Sequence, residues 1–245
     1  MVQPAKHMSG PITTRLHARA AVAADVYDLY FEVLSPPKLV FKAGQFVTLA
    51  VGTDAAGQSL RRSYSIASMS DRGEVLRFLI RAIPGGLATD LFLRMAIGTE
   101  LPMTGPHGFF VLTAQHPGDV VFGATGTGVA PVLPMLAELQ TRAEPGRRLL
   151  YWGLRQESDL FIVPEVEALC QATGTRLSIH LSRPSAAWTG LRGRITAPIL
   201  AELPTLHSPT FYLVGNGHMT TELKASLVGA GVDRRKQIRT EAFFD

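Results

Sequence analysis

The run Arg61-Arg-Ser-Tyr-Ser65 sets a guanidinium, a phenol and hydroxyls at alternating positions. On an extended chain Arg62, Tyr64 and Ile66 share one face, and Ser63 and Ser65 the other. Arg62 can pair a phosphate, Tyr64 can stack on a ring, and Ser65 can hydrogen-bond a heterocycle nitrogen. An amphipathic edge strand explains the same residues without a ligand. Further on, Pro84-Gly-Gly-Leu-Ala-Thr89 opens a helix. Gly85 and Gly86 let the main chain approach a ligand, Thr89 can cap, and the free N–H groups around Leu87 and Ala88 favour a phosphate. An ordinary capped helix is the plain alternative here. Two phosphate-type contacts in one half of the chain nevertheless suggest a pyrophosphate, hence a dinucleotide.

A third phosphate-type turn follows an apolar strand: Gly126-Thr127-Gly128-Val129-Ala130-Pro131. It leads into a helix N-terminus, with Pro131 where the usual dinucleotide fingerprint carries a third glycine. That fingerprint also wants an acid at the end of the next strand for a ribose 2′-OH. Here residues 149–152 run into Gly153-Leu-Arg155, and Arg155, Arg183 (after Ser182) and Arg194 recur beyond strands of this half. Arginines in place of the acid fit a 2′-phosphate, and so NADPH over NADH. Surface arginines beside a generic turn remain the alternative.

These residues need elements to hold them. In the first half, 28–34, 45–51 and 76–82 are short, β-branched and aromatic, and Pro/Gly/Asp-rich turns separate them. That spacing predicts a small antiparallel barrel with one helix over 88–96. In the second half strands at 120–122, 149–152, 176–181 and 211–214 alternate with helices at 129–139, 164–171 and 220–229. Such alternation predicts a parallel α/β sheet. The fold class expected is therefore a β-barrel plus α/β, with domains at 1–114 and 115–245 and Gln115-His-Pro-Gly118 as the linker.

The 245 residues are 46% hydrophobic and 18% charged, enough apolar material for a sizeable core, and disorder is excluded. The net charge of +4 divides as +3 and +1 between the halves, too even for a nucleic-acid arm or a polybasic membrane anchor. The single cysteine, Cys170, allows no intramolecular disulfide and no iron–sulfur cluster held by this chain, and its apolar helical neighbours predict a core position. The seven histidines lack metal-ligand spacing, so no metal is expected. With no secretory apolar core at the N-terminus and no apolar run of membrane-spanning length, the expectation is a cytoplasmic monomer.

Taken in order, the motifs form a more specific set: Arg62-x-Tyr64-Ser65, Gly86-x-x-Thr89, Gly105-Pro-x-Gly108, Gly126 to Pro131, Ser182-Arg183, Gly215-Asn-Gly-His-Met219 and the terminal Glu241-Ala-Phe-Phe244. The series resembles the ferredoxin–NADP reductase family over nearly the whole chain. The resemblance implies an FAD-binding barrel and an NADP-binding domain with the flavin between them. It implies that Arg62, Ser63, Tyr64 and Ser65 line the FAD, with Ser65 near the flavin N5 where hydride arrives. Ile80, Arg81 and Ile83 would lie beside the pyrophosphate, which Gly85 to Thr89 would hold. Thr127, Gly128, Val129, Ala130 and Pro131 would receive the NADPH pyrophosphate. Ser182, Arg183 and Arg194 would take the 2′-phosphate, with Arg155 nearby. Gly215, Asn216, Gly217 and Met219 would line the nicotinamide slot. Phe243 would cover the flavin, and Glu241 is a candidate for proton transfer.

Where many members carry cysteine before Gly-Asn, this chain has Val214, which puts more weight on Ser65. With no cluster of its own, the chain would pass single electrons to a separate ferredoxin or flavodoxin. Lys38, Lys42, Arg61, Arg72 and Arg77 are candidates for steering such an acidic carrier. Two other readings stay open: an NAD(P)H-dependent reductase component of an oxygenase or a flavin reductase, and a non-catalytic subunit that senses flavin or NADP.

Overall fold

The computed structural model describes residues 10–54, 56–142 and 144–243. Its first half holds β1 (Gly10–Ala21), β2 (Val26–Ser35), β3 (Phe46–Thr53), β4 (Ser59–Ser65), β5 (Val75–Arg81), α1 (Leu87–Arg94) and β6 (Glu100–His107). The six strands pair antiparallel in the order β4-β3-β6-β1-β2-β5. The sheet curls until the segment after β4 reaches β5, where Ala67 N–H donates to Arg77 O at 2.8 Å. Leu16, Leu29, Phe31, Val47, Leu49, Phe78 and Phe92 fill the interior, so α1 plugs the barrel with its Phe92. The N-cap of α1 is Gly86, and no side chain caps it. Thr89, expected as the cap, instead accepts from Ile83 N–H at 2.8 Å and closes the Pro84–Gly86 turn.

The second half holds β7 (Val120–Thr125), α2 (Val132–Gln140), β8 (Arg148–Leu154), α3 (Val163–Ala172), β9 (Thr175–Leu181), β10 (Leu191–Arg192), α4 (Thr196–Glu202), β11 (Thr210–Asn216), α5 (Gly217–Gly229) and β12 (Ile238–Phe243). All six strands are parallel, in the order β10-β9-β8-β7-β11-β12. Helices cover both faces, so central strands such as β7 and β11 are buried almost throughout and read as near-continuous apolar runs. Chain order advances outward from β7 through β8 and β9, then returns to β11 on the other side. The switch point, where ligands bind in open α/β sheets, therefore lies beyond the ends of β7 and β11.

Two expectations change. The helix predicted over 129–139 begins later: Gly126–Val129 form a 3₁₀ turn, and α2 starts at Val132. Residues 113–118 are not a loose linker. His116 is 2% exposed and bonds the Tyr212 hydroxyl at 2.8 Å and Glu144 at 2.7 Å, while Thr113 N–H donates to Tyr212 Oη at 2.9 Å. The segment is docked on β11 because buried polar groups there satisfy one another. Among the described residues no helix is long and apolar enough to cross a membrane.

Candidate active site

Register fixes the barrel's contribution. On β4, Arg62 lies opposite Leu49, Tyr64 opposite Val47 and Ser65 opposite Phe46. The Tyr64 ring packs edge-on to Phe92 of α1, centroids 5.3 Å apart, and to Phe78 at 6.5 Å. Burial pushes its phenol up to about 12, so the hydroxyl stays protonated. The Arg62 guanidinium is exposed, bonding only Arg61 O at 2.9 Å. Ser63 meets the Thr48 hydroxyl at 3.0 Å. A Cβ on Gly52 of β3 would touch Leu87 at 3.7 Å, so the start of α1 stands beside the β3–β4 pair. The motifs around Arg62 and Gly86 thus come together. Ile80 faces the barrel core, leaving only its main chain for a ligand, whereas Ile83 is exposed.

At the switch point the strand ends are pressed together by glycine. A Cβ on Gly215 (φ +116) would lie 2.4 Å from Thr125 Oγ1, and one on Gly128 would lie 2.8 Å from Val214 O. Asn216 N–H donates to Thr125 Oγ1 at 2.8 Å, and the Asn216 side chain caps α5 by accepting from His218 and Met219 N–H groups. Gly217 is the first residue of α5, and Met219 packs against the core beneath it. Trp152 Nε1 donates to Gly126 O at 3.0 Å and braces the glycine turn. Val129, Ala130 and Pro131 are buried behind that turn, and Thr127 is half-buried at its mouth.

The two halves meet where the strand ends face β4. Ser65 Oγ donates to Glu241 Oε1 at 2.7 Å across the seam. Burial raises the Glu241 pKa and the Ser65 bond lowers it, with a net rise. Gly108 leaves the room: its Cβ would be 2.9 Å from the Phe46 ring and 3.9 Å from Glu241 Oε2. Two residues on, Phe243 pairs with Asn216 and packs half-buried against the seam's apolar core. Phe244 lies outside the described residues.

The arginines divide. Arg183 and Arg194 are exposed at the ends of the α/β strands, and Ser182 Oγ donates to Leu154 O at 3.3 Å. Arg155 turns instead to Asp159 (3.5 Å) and Asp25 (4.0 Å), the carboxylates that also bind Arg81 at 3.4 and 2.6 Å. Arg77 cannot steer a carrier as expected, because it is buried between Asp28 and Glu165. Lys38 is partly spent on Glu74 at 3.4 Å. Cys170 is buried, and burial pushes its thiol up to about 11. Sequence reasoning missed Asp25, Asp28, Asp159 and Glu165. The one signal available was Asp28, an aspartate at a buried position of β2, whose other acid, Glu32, faces out.

The site passes a test for two dinucleotides. Gly85 (φ +73) and Gly126 (φ +56) have no atom within 4 Å of a would-be Cβ, so bare main chain lines both helix mouths. The first intrahelical bond of α1 is Asp90 N–H to Gly86 O, which leaves the N–H groups of Leu87, Ala88 and Thr89 without intrahelical acceptors, while Arg62 is exposed on the adjoining β3–β4 pair. That donor set suits a diphosphate in the barrel, and the Gly126–Gly128 turn suits one in the α/β half. The arrangement is one that two diphosphate-bearing ligands would fit, one in each half.

Comparison with known proteins agrees. Residues 13–112 match the family model described as oxidoreductase FAD-binding domain, and residues 122–224 the one described as oxidoreductase NAD-binding domain. The chain is 29% identical to ferredoxin–NADP reductase B of Sorangium cellulosum, over 95% of this chain and 98% of that one. It is 33% identical to the ferredoxin–NAD(+) reductase component of the alkene monooxygenase system of Xanthobacter autotrophicus, over 87% of this chain. The match spans 64% of that relative's length. The crystal structure of the Amycolatopsis cytochrome P450 reductase superposes with a TM-score of 0.85 at 27% identity, covering 97% of this chain and 71% of that one. The chain belongs to the ferredoxin–NADP reductase family and is a flavoenzyme of that type.

Proposed function

We propose that the protein oxidises NADPH and passes the electrons through FAD, singly, to a separate ferredoxin or flavodoxin. The observation that carries this reading is the Ser65–Glu241 contact, which joins the barrel's β4 to the α/β switch point. FAD, when bound, supplies the conversion between a two-electron donor and a one-electron acceptor. Arg62 and the N–H groups of Leu87, Ala88 and Thr89 would hold its diphosphate, with Gly85 and Gly86 giving access and the main chain of 80–83 alongside. Tyr64 is packed too firmly to swing and would give a fixed wall. Thr127 and Gly128 would receive the second diphosphate, while Gly215, Asn216 and Gly217 would form the floor beneath the nicotinamide.

Ser65 and Glu241 would keep water out and hold a proton on the Glu241 carboxyl, whose burial extends the range over which it stays protonated. Phe243 would cover the site from the β12 side. Arg183, Arg194 and Ser182 would choose NADPH: of the acids that follow β8, Asp159 is engaged by Arg81 and Arg155, and Glu157 accepts from the Ser185 N–H and hydroxyl. The domain division is proposed at 114/115, just before the docked His116.

The test is anaerobic mixing of the purified holoprotein with NADPH or NADH while following flavin absorbance. Rapid bleaching by NADPH supports the reading, and Arg183→Ala should then weaken NADPH far more than NADH. Rapid bleaching by NADH alone would favour the second reading, an oxygenase reductase component, which the Xanthobacter relative's name supports. A flavin bleached by neither coenzyme refutes both.

A further inference from the structure

Arg77 is a charged residue in an apolar strand. It sits on β5 between Leu76 and Phe78, is 9% exposed, and lies over the Tyr30 ring at 5.6 Å. Its guanidinium is gripped from both sides. Nε and Nη2 donate to the two Asp28 oxygens at 2.9 and 2.8 Å, within the barrel. Nη1 donates to Glu165 Oε1, and Nη2 to Glu165 Oε2 at 2.8 Å, on α3 of the other half. Both carboxylates are met bidentately, the geometry that fixes direction as well as distance.

The main chain of Arg77 is equally committed. Its carbonyl accepts from Ala67 N–H at 2.8 Å, and its N–H donates to Ser68 Oγ at 3.3 Å. It therefore clamps the segment that immediately follows Ser65. The halves are gripped at two separated places: Ser65 meets Glu241 on β12 at one edge of the parallel sheet, and Arg77 meets α3, which packs on β9 near the other edge. Strands β8, β7 and β11 lie between β9 and β12. At about 4.8 Å per strand spacing β9 and β12 are roughly 19 Å apart, so a rotation of about 4° of the sheet about its β9 side displaces the β12 side by roughly 1 Å.

The geometry points to Arg77 as a positioning residue: by tying Asp28 and α3 Glu165 into one fork while holding the 66–68 segment, it sets the angle between the halves that lets Ser65 meet Glu241. The inference deepens the proposed hydride-transfer reading and rests on it for its rate arm. Misplacing reacting groups by ~1 Å can cost about 10²-fold in rate. The remaining charged bridges, Arg81 to Asp159 at 3.4 Å and Arg155 to Asp25 at 4.0 Å, are longer single contacts and do not reproduce the double fork.

The test uses holoprotein carrying Glu165→Gln, Arg77→Lys or both. Glu165 is at the surface end of the fork, its side chain 41% exposed, so the glutamine should fold. Hydrogen–deuterium exchange should rise in the peptide covering 63–68, which the Arg77 main chain holds, and in 238–243 on β12, at the opposite edge of the sheet from β9 on which α3 packs. Flavin reduction should slow by about tenfold or more, with coenzyme Kd within twofold. The double variant should be no worse than the worse single one, since both remove the same fork. Unchanged exchange at 63–68 and 238–243 would overturn the inference, as would additive losses. Exchange decides even if wild-type flavin is not bleached by either coenzyme, an outcome that refutes the functional reading instead.

Discussion

Replacing Gly215 by alanine perturbs the tightest point of the site. Its φ of +116 is a conformation that side chains rarely adopt, and forcing a residue there costs about 1–3 kcal/mol. The new Cβ would also lie 2.4 Å from Thr125 Oγ1 and 2.6 Å from Thr125 O, where ordinary contact begins at 3.4 Å. β11 must therefore retreat from β7 by about 1 Å, a small-to-large strain of about 1–3 kcal/mol more. The Asn216 N–H bond to Thr125 Oγ1 stretches with it, and that bond aims the α5 cap. The expected loss is about 2–6 kcal/mol, or roughly 5–20 °C in Tm for a chain of this length. Flavin content should survive, because the flavin's proposed diphosphate contacts lie on α1 and β4. The rate of flavin bleaching should fall by about 10²-fold. Gly229→Ala is the control: no atom lies within 4 Å of its Cβ, and it ends α5. Differential scanning calorimetry and anaerobic stopped-flow read the two quantities. A Gly215→Ala protein matching Gly229→Ala in both would refute the close-approach argument.

Ser65→Ala removes the donor across the seam; flavin should stay bound while its reduction slows by about 10²-fold, and an unchanged rate would remove Ser65 from the chemistry. It also removes the bond that lowers the Glu241 pKa, so any pH dependence of the rate should move to higher pH, which a rate–pH profile reads. Glu241→Gln tests the burial of that carboxyl. A folded-state pKa raised above the ordinary 4.5 stabilises the wild type fully below 4.5, and the contribution is lost as pH rises through the folded value. The Tm of Glu241→Gln minus that of the wild type should therefore increase from pH 4 towards neutrality, and a pH-independent difference would contradict it.

Much of this fold is written locally. Strands β2, β3, β5, β7, β8, β9 and β11 are legible because each carries an unbroken or alternating apolar run. β6 escapes because Pro102, Gly105 and Pro106 interrupt it, and β1 because its inward position between Ile12 and Leu16 is a polar Thr14, buried with its hydroxyl on Leu101 O. β12 escapes because an edge strand needs no apolar run; half of its IRTEAF is polar, the Arg-Thr-Glu at its centre. α4 is short, carrying Pro198 within seven residues. The turns at Gly85 and Gly126 can be read from sequence because glycine, helix start and donor set lie within a few residues. Arg155 looked equivalent to Arg183 and Arg194, yet its partner Asp25 is far away in sequence. The Arg77–Glu165 fork is invisible for the same reason: its two residues are 88 positions apart and lie in different halves.

Helix α2 carries a consequence for how such chains can be recombined. Val132, Leu133, Pro134, Met135, Leu136 and Leu139 are all buried, so the helix has no wet stripe along most of its length. One side lies on the parallel sheet; the other reaches the barrel, where Met135 Sδ would be 3.3 Å from a Cβ on Gly44 and Phe110 and Ala67 join the same core. The α/β half cut free would present that greasy flank to solvent, and the barrel would bare Phe110 and Ala67, a liability for aggregation in both. The seam is thus the wrong place to cut or splice this chain, because each half is the other's solvent shield.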